Sequence, residues 1–277
     1  MAKVAVVGPE RARAVSAVAG LGGNGALRAY VDGAGNPIHL HLAELGPGEN
    51  LHVGPLAGDC AAYVWQGDVE AGPKGKGVAL AAGSSAIVER GGALELTGGL
   101  GGAQVLLFSA VEGSDGAGAG DGAANVQKGG HVHLLPAARV PRMAPEPGSA
   151  GVSGGLHADS ACPSCTVWLH ENHFPGGMEL SAEQTARGVH SHTEDEIIFV
   201  IGGEIRLGSK LYGPGTALAI AADTLYGFTA GPAGLSFVNF RAAMPGDISF
   251  AHGARISETG YWRERVPRPV YLAPLAA

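Results

Sequence analysis

Two histidines and a glutamate occupy one short stretch with the spacing of a metal-binding set. His190 and His192 are separated by one residue, and Glu196 follows four residues later. In an extended strand alternate side chains lie on the same face, so the two imidazoles would point the same way, about 7 Å apart along the backbone. Glu196 shares their parity, and two imidazoles with one carboxylate bind a metal while leaving positions open for a substrate or O₂. The stretch therefore predicts a metal site suited to Fe(II), Mn, Ni, Co or Zn.

These residues resemble a known motif. The pattern His190-x-His192-x3-Glu196-x6-Gly203 is similar to the first metal-binding motif of the cupin superfamily. Glu194 has the same strand parity as Glu196 and competes with it as a ligand, but the spacing of the cupin motif favours Glu196. The resemblance implies one divalent metal held by the two histidines and Glu196, with Fe(II) as the first choice.

A second cupin motif is recognisable in degraded form at 215–230, where the proline, glycine and asparagine of the family pattern are replaced. Its histidine, the fourth ligand in the family, corresponds to Tyr226. The resemblance leaves several roles open for this residue. Its phenol could bind the metal, hydrogen-bond a metal-bound water, act as a general acid or base, or fill space at the rim.

The chain also contains a diverged internal repeat. Three blocks recur in the same order at nearly constant offsets: 26–51 with 155–180, 63–69 with 199–205, and 83–110 with 215–242. In the first copy Leu56 and Cys60 align with His192 and Glu196, and Leu94 aligns with Tyr226. The first copy is therefore expected to lack a metal and to serve packing and oligomerisation.

The composition favours an all-β protein. Glycine accounts for 47 of 277 residues, while 45% of the residues are hydrophobic, which is enough apolar material for a folded core. Most apolar segments are five to eight residues long and end at Gly, Pro or Asp, which is typical of sandwiches and barrels. Helix is expected to be scarce, with one turn at 181–187 and short helices at 9–19 and 258–265. With the repeat, the resemblance implies two cupin-type β-barrels of jelly-roll form in tandem, a bicupin.

The predicted domains are a degenerate cupin barrel at 1–112, a glycine-rich connector at 113–130 and a metal-binding barrel at 131–277. The net charge of −7 and the absence of a basic cluster argue against nucleic acid as a partner. The sequence contains no uninterrupted run of 18 apolar residues, so no conventional membrane span is predicted. With no recognisable signal segment, a cytoplasmic location is expected. A homodimer is expected because open sheet edges must be covered.

Function is predicted from the metal set and its surroundings. The favoured hypothesis is a metal-dependent cupin enzyme, most often a dioxygenase by family resemblance. The alternatives are an isomerase or lyase that uses the metal as a Lewis acid, and a non-catalytic bicupin that binds a small molecule. A small aromatic or keto substrate is expected because of the apolar residues Phe199, Ile201, Leu218, Ile220, Phe228 and Phe237, of which only alternate members can face inward.

Overall fold

The computed structural model describes residues 3–33, 35–73, 75–110, 130–145, 151–160, 165–177, 186 and 188–272. Apart from Gly130, the predicted connector lies outside these residues. Strands are the main regular structure of the described residues, and one α-helix is described in full, so the all-β prediction is confirmed. The turn predicted at 181–187 lies outside the described residues apart from Ala186. No helix in the described part of the chain is long and apolar enough to cross a membrane.

In chain order the strands are β1 (Val4–Val7), β2 (Arg13–Val15), β3 (Leu21–Gly23), β4 (Ala26–Val31), β5 (Ile38–Leu45), β6 (Asn50–Val53), β7 (Cys60–Ala71), β8 (Val78–Ala81), β9 (Ser85–Val88), β10 (Leu94–Ala110), β11 (Val132–Leu135), β12 (Arg142–Met143), β13 (Ser153–Asp159), β14 (Trp168–Phe174), β15 (His190–Ser191), β16 (Glu196–Leu207), β17 (Lys210–Tyr212), β18 (Ala217–Ile220), β19 (Thr229–Arg241), β20 (Asp247–Phe250) and β21 (Arg255–Ser257). Helix α1 spans Glu258–Arg265, as expected from the sequence, and 3₁₀ turns lie at Pro9–Arg11 and Ala137–Arg139.

The chain divides into two compact units. The C-terminal unit comprises Met1–Arg11, Pro141–Asp159 and Trp168–Arg268, and the N-terminal unit comprises Ala12–Val140, Ser160–Val167 and Pro269–Ala277.

The two units are built on the same strand order. The main sheet of the N-terminal unit runs β11-β9-β7-β10-β5-β4-β2, and that of the C-terminal unit runs β1-β18-β16-β19-β14-β13-β12. Equivalent strands coincide with the sequence repeat: β7 and β16 begin and end at an offset of 136 residues, and β9 and β18 at 132. A further sheet, β15-β20-β21, belongs to the C-terminal unit. Neither strand path closes into a complete ring within the described residues.

The two compact units do not follow the predicted ranges 1–112 and 131–277, because strand pairing and not chain order decides which unit a strand joins. β1, assigned by sequence to the first domain, pairs antiparallel with β18, so that Val6 lies opposite Leu218. β11, assigned to the second domain, pairs with β9. Each unit thus completes its sheet edge with a strand from the other side of the predicted boundary.

The helix expected at 9–19 is also absent. Pro9–Arg11 forms a 3₁₀ turn, and Arg13–Val15 pairs with Leu27–Ala29 in the sheet. Pairing with β4 satisfies the backbone groups that a helix would otherwise have used, so tertiary structure overrides the local preference.

Glycine has a conformational role in the two longest equivalent strands. Gly67 in β7 and Gly203 in β16 have φ of 72° and 64°, next to irregularities in strand register. A Cβ atom would come within 2.0 Å of the Gly102 carbonyl oxygen at the first position and 2.3 Å of the Gly234 carbonyl oxygen at the second. Only glycine fits such a bulge without strain.

The core of the C-terminal unit lies on the inner faces of β16, β18 and β19. Its buried members are Ile198, Val200, Ile205, Leu218, Ile220, Tyr226, Leu235 and Phe237. Each fully buried aliphatic side chain of this kind contributes about 1.5–3 kcal/mol to folding. Of the six apolar residues expected near the barrel mouth, Leu218, Ile220 and Phe237 belong to this cluster and Phe228 packs against it, whereas Phe199 and Ile201 are not part of it.

Candidate functional site

Backbone hydrogen bonds bring the two sequence motifs together in the C-terminal unit. The amide of His190 donates to the carbonyl of Tyr226 at 2.9 Å, and the amide of Tyr226 donates back at 2.9 Å. The two rings lie 4.7 Å apart between centroids, and the His190 and His192 rings lie 5.0 Å apart. The structure therefore places Tyr226 directly beside the predicted metal-binding histidines.

Both histidines have an acceptor beside their Nδ1 atom, but only His190 makes a regular hydrogen bond to it. His190 Nδ1 lies 2.7 Å from the carbonyl oxygen of Gly188, which can only accept, so this nitrogen carries the proton. His192 Nδ1 lies 3.0 Å from Glu258 Oε2, although the angle of this contact is poor for a hydrogen bond. His192 Nε2 lies 3.4 Å from Arg241 Nη2, a group that can only donate. In both rings the lone pair is therefore on Nε2, the arrangement of metal-binding histidines held by a second contact.

The Glu196 carboxylate has one engaged and one bare oxygen. Oε2 accepts hydrogen bonds from Asn239 Nδ2 at 2.6 Å and from Arg241 Nη2 at 3.0 Å. The phenol of Tyr226 lies near enough to this carboxylate to help lower its pKa. Oε1 is buried, has no hydrogen-bond partner and lies 3.9 Å from His192 Nε2. A buried carboxylate oxygen without a partner is costly unless a further ligand binds it.

Arg241 links the two buried carboxylates of the site. Its side chain is 1% exposed and pairs with Glu196 through Nη2 and with Glu258 through Nη1. Burial alone would lower the pKa of Arg241, but the two carboxylates raise it, so the guanidinium is charged.

Both carboxylates are ionised beside this cation. Burial alone would raise the pKa of Glu196, but His192, Arg241, Tyr226 and Asn239 outweigh it and lower the pKa from 4.5 to about 2. Against a similar burial effect, Arg241 and His192 lower the pKa of Glu258. Two carboxylates and one guanidinium leave one net negative charge if both imidazoles are neutral.

Two further groups keep their neutral forms. Burial, reinforced by the negative charge of Glu196, raises the pKa of Tyr226 well above its usual value of 10. The phenol therefore retains its proton at neutral pH. Burial lowers the pKa of His170 to about 3, and its Nδ1 accepts from the indole Nε1 of Trp168 at 2.9 Å.

Strand parity explains how these polar groups come together. On β16, Glu196 is followed at every second residue by the core members Ile198 and Val200; on β19, Asn239 and Arg241 follow Phe237 with the same alternation. The polar cluster therefore lies at one end of the apolar inner face. The other candidate carboxylate, that of Glu194, instead accepts from the amide of Gly246 at 3.0 Å.

Sequence reasoning missed Asn239, Arg241 and Glu258. For the first two a signal was present, since they continue the alternation that begins at Phe237. Glu258 had no local signal, because it reaches the site from α1, far along the chain from His192.

The residues present fit a metal in kind. Two imidazole nitrogens and one carboxylate oxygen present lone pairs, that of His192 Nε2 towards Arg241 Nη2 at 3.4 Å, and together they are the donor set of 2-His-1-carboxylate centres. No three His, Cys, Asp or Glu side chains in the described part of the chain already surround a common point at metal-binding distances. Binding would require His190, His192 and Glu196 to close further around the ion.

The corresponding positions of the N-terminal unit are apolar. Cys60 and Leu94 belong to its buried core cluster, and Leu56 packs against that cluster. Burial raises the pKa of the Cys60 thiol to about 12, so it is protonated and poorly reactive. These positions fill the core of their unit.

Comparison with known proteins shows the fold. No protein-family model and no curated protein matches the sequence. The crystal structure of the protein Ylba from E. coli is similar, with a TM-score of 0.58 and 14% identity over 86% of this chain and 90% of its own. The crystal structure of a putative glyoxylate induced protein from Pseudomonas aeruginosa has a TM-score of 0.59 and 13% identity, over 87% of this chain and 89% of its own. A variant of Bacillus subtilis oxalate decarboxylase has a TM-score of 0.58 and 13% identity, over 91% of this chain and 79% of its own.

These structures are cupin-fold proteins, and the likeness extends over both units. The chain therefore has the cupin fold, which confirms the prediction made from the His-x-His-x3-Glu motif. At these identities the likeness concerns the fold alone.

The ion-pair network makes stability depend on Arg241. We expect Arg241→Met to lower the free energy of unfolding by about 3–5 kcal/mol at pH 7, because it leaves two carboxylates buried without a cation. Urea unfolding followed by tryptophan fluorescence measures this, with the exposed Arg255→Met as the control. Glu196 has a lowered folded-state pKa, so its contribution in the native protein is present above pH 4.5 and is lost as the pH falls towards about 2.

In Arg241→Met the buried carboxylates are instead expected to gain protons more readily than in the unfolded chain. The stability difference between the native protein and the variant should therefore shrink as the pH falls from 7 to 4. A difference that stays constant over this range, or an equal loss in Arg255→Met, would contradict the network.

Proposed function

We propose that the C-terminal unit is the catalytic part of a metal-dependent cupin enzyme acting on a small organic substrate. One divalent ion would be held by His190 Nε2, His192 Nε2 and Glu196 Oε1. Fe(II) is the first choice, with Mn, Ni, Co or Zn as alternatives. The observation that carries the proposal is that the lone pairs of both histidines lie on Nε2, beside a buried carboxylate oxygen that lacks a hydrogen-bond partner.

The charge of the cluster supports this proposal. Glu196 and Glu258 are ionised, and Arg241 compensates only one of them. A residual negative charge in a buried site favours a cation. The neutral phenol of Tyr226 adds a hydrogen-bond donor without adding charge.

A bound metal would supply Lewis acidity at an open coordination position and, as Fe(II), O₂ activation. The chain's own residues supply the rest. Tyr226 holds a proton beside Glu196 and could deliver it to a substrate oxygen as a general acid. Asn239 and Arg241 hold Glu196 through hydrogen bonds to its Oε2, so its other oxygen, Oε1, stays oriented.

An aromatic wall next to the histidines supports a small aromatic or keto substrate. The Tyr226 and Phe228 rings lie 6.4 Å apart, Phe228 lies 5.5 Å from Phe237, and Phe250 lies 5.8 Å from His190. Such rings exclude water and offer flat apolar contact.

Two reaction classes are proposed. A dioxygenase is the first, from the resemblance of the metal-binding motif. An isomerase or lyase is the second, and the protonated Tyr226 favours it because non-oxidative chemistry at a carbonyl needs a proton donor. The fold similarity to oxalate decarboxylase is compatible with the second class.

Metal content tests the proposal directly. We expect about one divalent metal per chain by plasma mass spectrometry, because His190, His192 and Glu196 would together hold a single ion. The double variant His190→Ala, His192→Ala should lose it, since both nitrogen ligands are removed. His39→Ala, on β5 of the N-terminal unit, is the control and should keep it. A folded protein that takes up no divalent metal would count against the metal-dependent enzyme and favour the non-catalytic ligand-binding bicupin.

Tyr226→Phe separates the roles of the phenol. We expect metal content to stay within a factor of two while turnover falls about 10²–10⁴-fold, as for loss of a general acid. Turnover is followed with a panel of catechols and 2-oxo acids, in air and under nitrogen, so that an O₂-dependent reaction is distinguished from a lyase or isomerase. Equal loss of metal and turnover would instead identify Tyr226 as a ligand, and no effect would identify it as a packing residue.

A further inference from the structure

Glu258 reaches the site from a helix that is firmly anchored in the C-terminal unit. Ser257 caps α1 by accepting from the Gly260 amide at 3.2 Å, and the Glu258 amide donates to the Gly246 carbonyl at 3.2 Å. On the same helix Trp262 is 3% exposed and packs in a buried cluster with Trp168. The backbone of Glu258 is therefore fixed, and the residue is only 4% exposed.

The carboxylate of Glu258 touches two members of the site. Its Oε2 lies 3.0 Å from His192 Nδ1 and also accepts from Arg241 Nη1. Arg241 in turn contacts His192 Nε2 and Glu196 Oε2 through Nη2. Both ring nitrogens of His192 thus have a polar neighbour: Nδ1 lies beside an acceptor and Nε2 beside a donor.

Glu258 has more than the role of a counter-ion for Arg241. Glu196 already pairs with the guanidinium, and an ion pair would not require Glu258 to lie at hydrogen-bond distance from His192. A carboxylate at Nδ1 fixes the tautomer and orientation of an imidazole and makes Nε2 a stronger ligand.

We propose that Glu258 is a positioning residue that holds His192 in the Nδ1–H tautomer, so that α1 is an integral part of the site. The metal-binding consequence rests on the proposed function, whereas the tautomer does not. Two readouts therefore test it separately.

The first readout is metal affinity, measured on the full chain by competition for Co(II) with a chromophoric chelator. Glu258→Gln should weaken Co(II) binding about 10–100-fold, because the charge that orients His192 is lost. Glu258→Asp keeps the carboxylate and should restore much of the affinity. Glu264→Gln is the matched control on the same helix, where the side chain is 78% exposed, and should bind Co(II) as the native protein does. A Glu258→Gln variant with native near-ultraviolet circular dichroism and native affinity would overturn the proposal.

The second readout is the tautomer of His192 in the metal-free native protein. Long-range ¹H–¹⁵N spectra of the histidine-labelled chain at pH 9, assigned by the signal lost in His192→Gln, report which nitrogen carries the proton. We expect the Nδ1–H form in the native protein and in Glu264→Gln, and a mixture of tautomers in Glu258→Gln. An Nε2–H form in the native protein would overturn the proposal without any variant. If the native protein shows the Nδ1–H form but binds no Co(II), the proposed function fails and the positioning role stands.

Discussion

The candidate site depends on the ion pairs of the buried Arg241 guanidinium with two carboxylates. Two carboxylates cannot remain ionised away from water unless a cation and hydrogen bonds compensate them. Arg241 provides that cation for Glu196 on β16 and Glu258 on α1, while lying on β19 itself. The pair of contacts therefore ties two strands and a helix to one point. With the carboxylates held in place, both ring nitrogens of His192 have a polar neighbour, and Oε1 of Glu196 is buried without a hydrogen-bond partner.

The rest of the unit explains how such a cluster can be buried. The inner faces of β16, β18 and β19 form an apolar core that ends in polar side chains on one side only. The same strand order in the N-terminal unit has an apolar core at the equivalent positions, where Cys60 and Leu94 stand. One scaffold thus exists in two versions, and the difference lies in a few inward-facing side chains. Fold alone does not decide function in such a pair; the residues at the end of the core do.

Local sequence features were sufficient to predict much of the fold. The repeat gave the offset of 136 residues that relates β7 to β16, and the boundaries of α1 were predicted correctly. The motif also identified His190, His192, Glu196 and Tyr226, which the structure brings together. These features are local or periodic, so a single sequence contains them.

Long-range pairing limited the rest. No local pattern reveals that β1 joins β18 and that β11 joins β9, because either edge could be completed by a strand near to or far away in sequence. The pairing of Arg13–Val15 with β4 similarly replaced the expected helix at 9–19. Glu258 was missed for the same reason: its place beside His192 depends on how α1 packs. Arg241 was within reach, since its parity with Phe237 points it inward, but an arginine at the end of a strand is more often solvated.

The most direct test of the metal centre is anomalous diffraction from crystals of the full chain grown or soaked with Co(II), recorded on both sides of the cobalt absorption edge. The account predicts one strong anomalous peak in the C-terminal unit, about 2.0–2.2 Å from His190 Nε2, His192 Nε2 and Glu196 Oε1. A fully occupied peak elsewhere, or well-ordered side chains at these three residues with no peak among them, would contradict it.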